Sequence, residues 1–173
     1  FRRVLFRSDF TSLLGLGTGL HKAGTLMGLA AYGKPIAEAV ERWQEYGRSY
    51  FDRSFEPWDP TFIRLMWSQL SGLPPHQGLS QDESDSQRAM DIAATLQIIF
   101  TRTLVASARR LHTDSAAFSD NNLVLSGGSF LNCDANTAVL RESSFERIHH
   151  FPGCGEDGTA VGDRKSTRLN SSH

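Results

Sequence analysis

Between Asn122 and Gly162 the chain runs as a short apolar stretch, a Gly-Gly break, a helical stretch, a second short strand and a glycine-rich loop, and this order limits the possible folds most. Asn122-Leu123-Val124-Leu125 ends abruptly at Ser126-Gly127-Gly128. Helical spacing follows from Phe130 to about Arg141, then a strand over Arg147-Ile148-His149-His150-Phe151, then GCGEDGTAVG from Gly153 to Gly162. A buried strand that runs straight into Gly-Gly and then into a helix predicts an α/β unit.

The sequence before this unit reads as helical. Leu13 to Tyr32 carries Gly15, Gly17, Gly19, Gly24 and Gly28, too dense for a stable helix interior, so the spacing predicts a loop followed by a short helical or turn element ending at Gly33-Lys34-Pro35. Ala39, Val40, Trp43 and Tyr46 recur at helical intervals over Ile36 to about Tyr50. Trp58, Phe62, Leu65, Met66 and Leu70 surround another helix, and a turn-rich stretch follows. Residues 34–84 therefore read as a mainly helical insertion, with Trp43, Trp58, Phe62 and Trp67 as core packing. A long helix then starts at a Ser84 or Ser86 cap and shows an apolar stripe from Met90 through Ile92, Leu96, Phe100 and Leu104 to Leu111, about seven turns.

Both ends look foreign to this body. FRRVLFRS (1–8) and DRKSTRLNSSH (163–173) show no apolar periodicity, and both back-translate into the complementary ends of a short-read sequencing adaptor, so they are expected to be scars flanking residues 9–162. Setting them aside leaves twelve basic against eighteen acidic residues, a net charge of −6. An acidic body argues against a nucleic-acid backbone binder, whose affinity comes from Lys and Arg on phosphates. No window approaches the roughly 18 consecutive apolar residues of a membrane helix, so no membrane partner is expected. Two cysteines, Cys133 and Cys154, cannot make a disulfide scaffold, and a reducing cytoplasm is the expected compartment.

Three features carry chemistry. In LVLSGGSFLN the two glycines stand where a strand meets a helix start, so backbone can approach a ligand and free amides can face a phosphate; steric turns use the same pair. In GCGEDGTAVG, Glu156 and Asp157 stand on a glycine loop able to hold a metal or a hydroxyl, an Asp-Gly turn being the plainer reading. His21 and Lys22 are candidates for anion contact. His149 and His150 point to opposite faces of a strand and cannot share one metal simply. Cys133 reads as a buried structural thiol rather than a nucleophile, with no fixed histidine partner evident.

Taken in order, HKAGTLMGLAAYG, DIAATLQIIF, NLVLSGGSFLNCDAN and FERIHHFPGCGEDGTAVG resemble the carbamoyltransferase family, which includes nodulation-type and antibiotic-tailoring O-carbamoyltransferases. The match covers most of residues 13–162 and is strongest in SGG-x-x-LN-x-x-AN (Ser126 to Asn136) and G-x-DG-x-A-x-G (Gly155 to Gly162). The resemblance implies a fragment of the amino-terminal domain: an α/β, actin-like ATPase (ribonuclease H-like) half-domain with the helical insertion, lacking the carboxy-terminal domain that handles carbamoyl phosphate.

It also implies a chemistry. Carbamoyl phosphate yields carbamate, ATP converts this to carbamoyl-adenylate, and the carbamoyl group passes to the hydroxyl of a small molecule. Residue by residue, Ser126, Gly127, Gly128 and Asn132 would line the nucleotide, and Asp157 would complete a divalent metal site, iron among the candidates, whose histidine ligands lie outside this chain. Where the family often has Lys before the Met-Gly-Leu-Ala element this chain has Thr25, which leaves Lys22, with Gly28, for the phosphate. Phe130 makes the wall after Gly-Gly bulkier than usual. The fragment alone is expected to be inactive. Two other readings belong beside this one: a tRNA threonylcarbamoyl transferase, and a nucleotide-binding module related to sugar kinases and actin.

Overall fold

The computed structural model describes residues 9–18, 22–43, 60–115 and 121–155, of which 60–62 by backbone alone. The chain divides into two compact units, one through Leu104 and one from Val105 onward.

The first unit is helical. It holds α1 (helical over 9–13), α2 (Ala23–Ala30), α3 (helical over 37–43), α4 (Pro60–Ser71), a 3-10 turn (Gln81–Glu83) and the first part of α5 (Gln87–Ser115). Each helix buries the stripe its spacing dictates. On α4, Ile63, Met66, Trp67 and Leu70 stand at i, i+3, i+4 and i+7 and are buried. Leu65, expected around this helix with Met66 and Leu70, lies on the opposite side and is 52% exposed. Trp67 packs tilted against Phe10 with ring centroids 6.5 Å apart, and its Nε1–H donates to Gln77 O at 2.7 Å, so the one polar atom of the buried indole is satisfied.

Two lashes join the connections to this core. Leu79 N–H donates to Leu13 O at 2.7 Å, and a Cβ on Gly15, at φ +72°, would come within 2.7 Å of Ser80 O. On α5, Asp91 accepts from Lys34 N–H at 2.7 Å, and Thr95 Oγ1 accepts from Ile36 N–H at 2.9 Å while donating to Asp91 O. The spacing had placed a short element before Gly33-Lys34-Pro35, and α2 occupies that place despite Gly24 and Gly28. The predicted helix over 36–50 is seen over 37–43, with Val40 and Trp43 buried; Tyr46 and Trp58 lie outside the described residues, as does the side chain of Phe62.

The 29-residue α5 starts after Ser86, whose Oγ accepts from Ala89 N–H at 3.2 Å, as the second of the two expected caps. Its stripe is buried at Ile92, Leu96, Ile99, Phe100 and Leu104 but not at Leu111, which is 49% exposed. By length and composition α5 is long and apolar enough to cross a membrane, which a count of consecutive apolar residues does not reveal; 56% of its most apolar window is buried in the protein, as in a core helix.

The second unit holds the last turns of α5, then β1 (Asn122–Leu125), a 3-10 turn (Gly128–Leu131), α6 (Cys133–Glu142) and β2 (Arg147–His150). The strands pair in parallel, in the register Asn122 to Arg147 through Leu125 to His150, so β1-α6-β2 is the α/β unit that the sequence predicted. Leu123 and Leu125 are buried, as are Ala135 and Val139 of α6, while Val124 faces outward. Asn121 sets the sheet's edge. In the left-handed region at φ 62°, its carbonyl accepts from Glu146 N–H at 2.9 Å, and its side chain meets His112 Nε2 at 3.0 Å. The His112 ring stands edge-on to buried Phe145 at 5.1 Å.

Candidate functional site

The carboxyl end of β1 carries the first glycine motif and receives the segment that leads into the second. After Leu125 the chain passes exposed Ser126 and reaches Gly127 at φ +104°, ψ 156°, a backbone conformation open in practice only to glycine. Among the described residues, a Cβ built on Gly127 would meet nothing within 4 Å, which leaves space beside it for an incoming group. Phe130 N–H then closes the 3-10 turn onto Gly127 O at 2.9 Å. On the other strand, the segment after β2 returns to the same point: Leu125 O accepts from Phe151 N–H at 3.0 Å and from the Cys154 thiol at 3.4 Å. The first residues of GCGEDGTAVG thus stand at the same strand end as Ser126-Gly127-Gly128. The carboxyl ends of parallel strands are where open α/β sheets take ligands.

Two asparagines hold the turn from the helix side. Asn132, fully buried, caps α6: its Oδ1 accepts from Ala135 N–H and its carbonyl from Asn136 N–H, both at 3.0 Å. One turn later Asn136 donates its Nδ2–H back to Phe130 O at 2.7 Å. The amides at the start of α6 carry the positive end of the helix dipole, and Asp134 in the first turn complements it.

The expected site residues distribute as follows. Ser126, Gly127, Gly128 and Asn132 share this one turn, with Asn132 engaged in capping. Lys22 precedes α2 and Gly28 lies exposed on it, in the helical unit; the Lys22 Cε stands 3.6 Å from where a Gly17 Cβ would be. Asp157, Glu156 and His21 lie outside the described residues. Among the described residues no three His, Cys, Asp or Glu side chains come close enough to hold a metal ion. His149 and His150 are both exposed on β2.

The expectation of a buried Cys133 is corrected. Cys133 opens α6 on the side away from the buried Ala135–Val139 face and is exposed, whereas Cys154 is the buried thiol. Asn136 and the Leu125 carbonyl were missed. The signal for Asn136 was a poor helix former in the first turn of a helix, four residues after another asparagine.

The family model of the carbamoyltransferase amino terminus matches residues 5–164. The uncharacterized protein sll1178 of Synechocystis sp. (strain ATCC 27184 / PCC 6803 / Kazusa) is 30% identical over 167 residues, which is 91% of this chain and 26% of that protein. The chain therefore spans about a quarter of that relative's length. No solved structure matches the chain. The match runs through the helical unit, the β1-α6-β2 unit and both glycine motifs, and the chain belongs to the carbamoyltransferase amino-terminal family, a family of carbamoyl transfer.

Proposed function

We propose that this chain is the nucleotide-holding part of an ATP-dependent O-carbamoyltransferase, in an actin-like half-domain that works with a carboxy-terminal domain, in the cytoplasm. The observation that carries the reading is the return of Phe151 and Cys154, at the start of the second glycine motif, to Leu125 O beside Ser126-Gly127-Gly128 at the carboxyl end of β1. The open space beside Gly127 fits a phosphate group that backbone must approach closely.

In this proposal the Gly127 and Gly128 backbone borders the ATP phosphates, Ser126 offers its exposed hydroxyl at the rim, and Asn132 fixes the turn by capping α6. Lys22 and Gly28, in the helical unit, are proposed as phosphate contacts on the family resemblance alone. Water hydrolyses carbamoyl phosphate to carbamate and inorganic phosphate, carbamate and ATP give carbamoyl-adenylate and pyrophosphate, and a substrate hydroxyl then displaces AMP. Asp157 is proposed as one carboxylate toward a divalent metal, with iron among the candidates. Since the described residues group no metal ligands, no step is assigned to that ion.

Pyrophosphate release by the full-length protein tests the proposal. With ATP and carbamoyl phosphate together it releases pyrophosphate, with ATP alone it does not, and Asp157→Ala abolishes transfer to the acceptor. Inorganic phosphate released from ATP without carbamoyl phosphate would instead favour a kinase-like nucleotide module. Carbamoylation of a tRNA-bound adenosine in place of a small-molecule hydroxyl would make it a tRNA-modifying enzyme.

A further inference from the structure

We propose that Asn136 is a positioning residue for the nucleotide phosphates, acting through the Phe130 carbonyl on the Gly127–Leu131 turn. The inference rests on the reading of this turn as a phosphate site. Three observations bear on it.

The first is the tether itself. Asn136 Nδ2 reaches back six residues to donate to Phe130 O at 2.7 Å, while Phe130 N–H is bonded to Gly127 O at 2.9 Å. Asn136 thus holds the same peptide segment that closes the turn on Gly127. The second is the state of the other half of its carboxamide. Asn136 Oδ1 is buried and, among the described residues, meets no hydrogen-bond donor. A buried acceptor without a donor is unfavourable, so an asparagine here is a poor choice for stability alone, where alanine would avoid the cost. The third is the backbone it restrains: Gly127 sits at φ +104°, ψ 156°, and the conformational freedom of glycine leaves this geometry unfixed unless neighbouring groups hold it. The Asn132 cap bond is directed forward, into α6, and holds the end of the turn from the helix, whereas the Asn136 bond is directed backward onto the turn itself.

A turn held in this way is ready before the ligand arrives, so the ligand loses less affinity to ordering it. Removing the tether should therefore weaken binding of the phosphates while leaving the fold nearly as stable as before.

The test titrates ATP with Mg2+, and adenosine as a phosphate-free control, into the full-length protein as wild type, Asn136→Ala and Asn136→Asp. The aspartate keeps the shape but, ionised, offers no donor to Phe130 O. Amide exchange at Phe130 and the melting temperature are followed in parallel. The expected result is ATP affinity about tenfold weaker in both variants, the scale of one lost, well-placed hydrogen bond, with adenosine affinity unchanged, faster exchange at Phe130 and melting of Asn136→Ala within a few degrees of wild type. ATP affinity equal to wild type in either folded variant overturns the inference, and so does failure of both variants to fold, which would make the role purely structural. A wild-type chain that binds no ATP overturns the phosphate-site reading and this inference with it, an outcome distinct from the other two.

Discussion

Asn132 and Asn136 stand one helical turn apart and bond in opposite directions, one forward into α6 and one back onto the turn that precedes it. Their contributions should separate. Asn132→Ala leaves Ala135 N–H without its buried acceptor and should cost about 1–2 kcal/mol of stability; Asn132→Ser, which keeps a capping oxygen, should recover most of it. Urea denaturation of the three proteins measures this. In the helical unit, Ser80 N–H and Oγ–H both donate to Glu83, at 3.0 and 2.8 Å, and hold its carboxyl below the ordinary value of 4.5, with Arg88 adding a smaller pull. A depressed carboxylate stabilises the fold above the unfolded value. That stabilisation is lost as pH falls from about 4.5 through the lower folded value. Glu83→Gln should remove this acid dependence from amide exchange at Ser80, and an unchanged dependence would refute the assignment. At this scale the sequence was only partly legible. Gly-Gly after a strand announced its turn, because only backbone freedom makes sense there. Leu65 and Cys133 could not be placed by residue type, since the face a helix buries depends on what packs against it, and each lies opposite its helix's buried stripe.

The elements were more legible than the side chains. The strand limits of β1, the crossover helix and β2 follow from apolar runs bounded by glycine and by turn residues, and the parallel pairing follows from the helix between them. The start of α5 at Ser86 was one of two capping choices in the sequence. What the pattern could not convey is how closely elements approach. Gly33 shows this: a Cβ there would overlap the Met90 carbonyl oxygen of α5, so the connection after α2 crosses that helix backbone to backbone. Lys34 and Ile36 then bond to Asp91 and Thr95 on the same helix. Gly33→Ala should force these apart and destabilise the chain by about 1–3 kcal/mol, the range for overpacking a tight contact, and thermal unfolding would register it. Gly24→Ala, with open space at its Cβ, serves as the comparison and should be neutral or mildly stabilising as a helix-interior exchange.

For the whole molecule, the division at Leu104/Val105 separates a helical unit with its own core from the β1-α6-β2 unit that carries the turn. Family membership was legible in the sequence because its motifs are widely spaced and ordered, and residues 5–164 match the family model. Asp157 lies outside the described residues, so its part in the proposed chemistry depends on assay rather than geometry. The central claim is that the turn at Gly127 receives the phosphates of ATP. Its most direct measurement is the ATP affinity of the chain with Gly127 intact and with Gly127→Ala, each checked for cooperative melting. The methyl group would stand in the open space beside a backbone that L-residues rarely adopt. Binding by the wild type that falls at least tenfold in a still-folded Gly127→Ala variant is the predicted result. Equal ATP affinity in the two folded proteins would contradict the account.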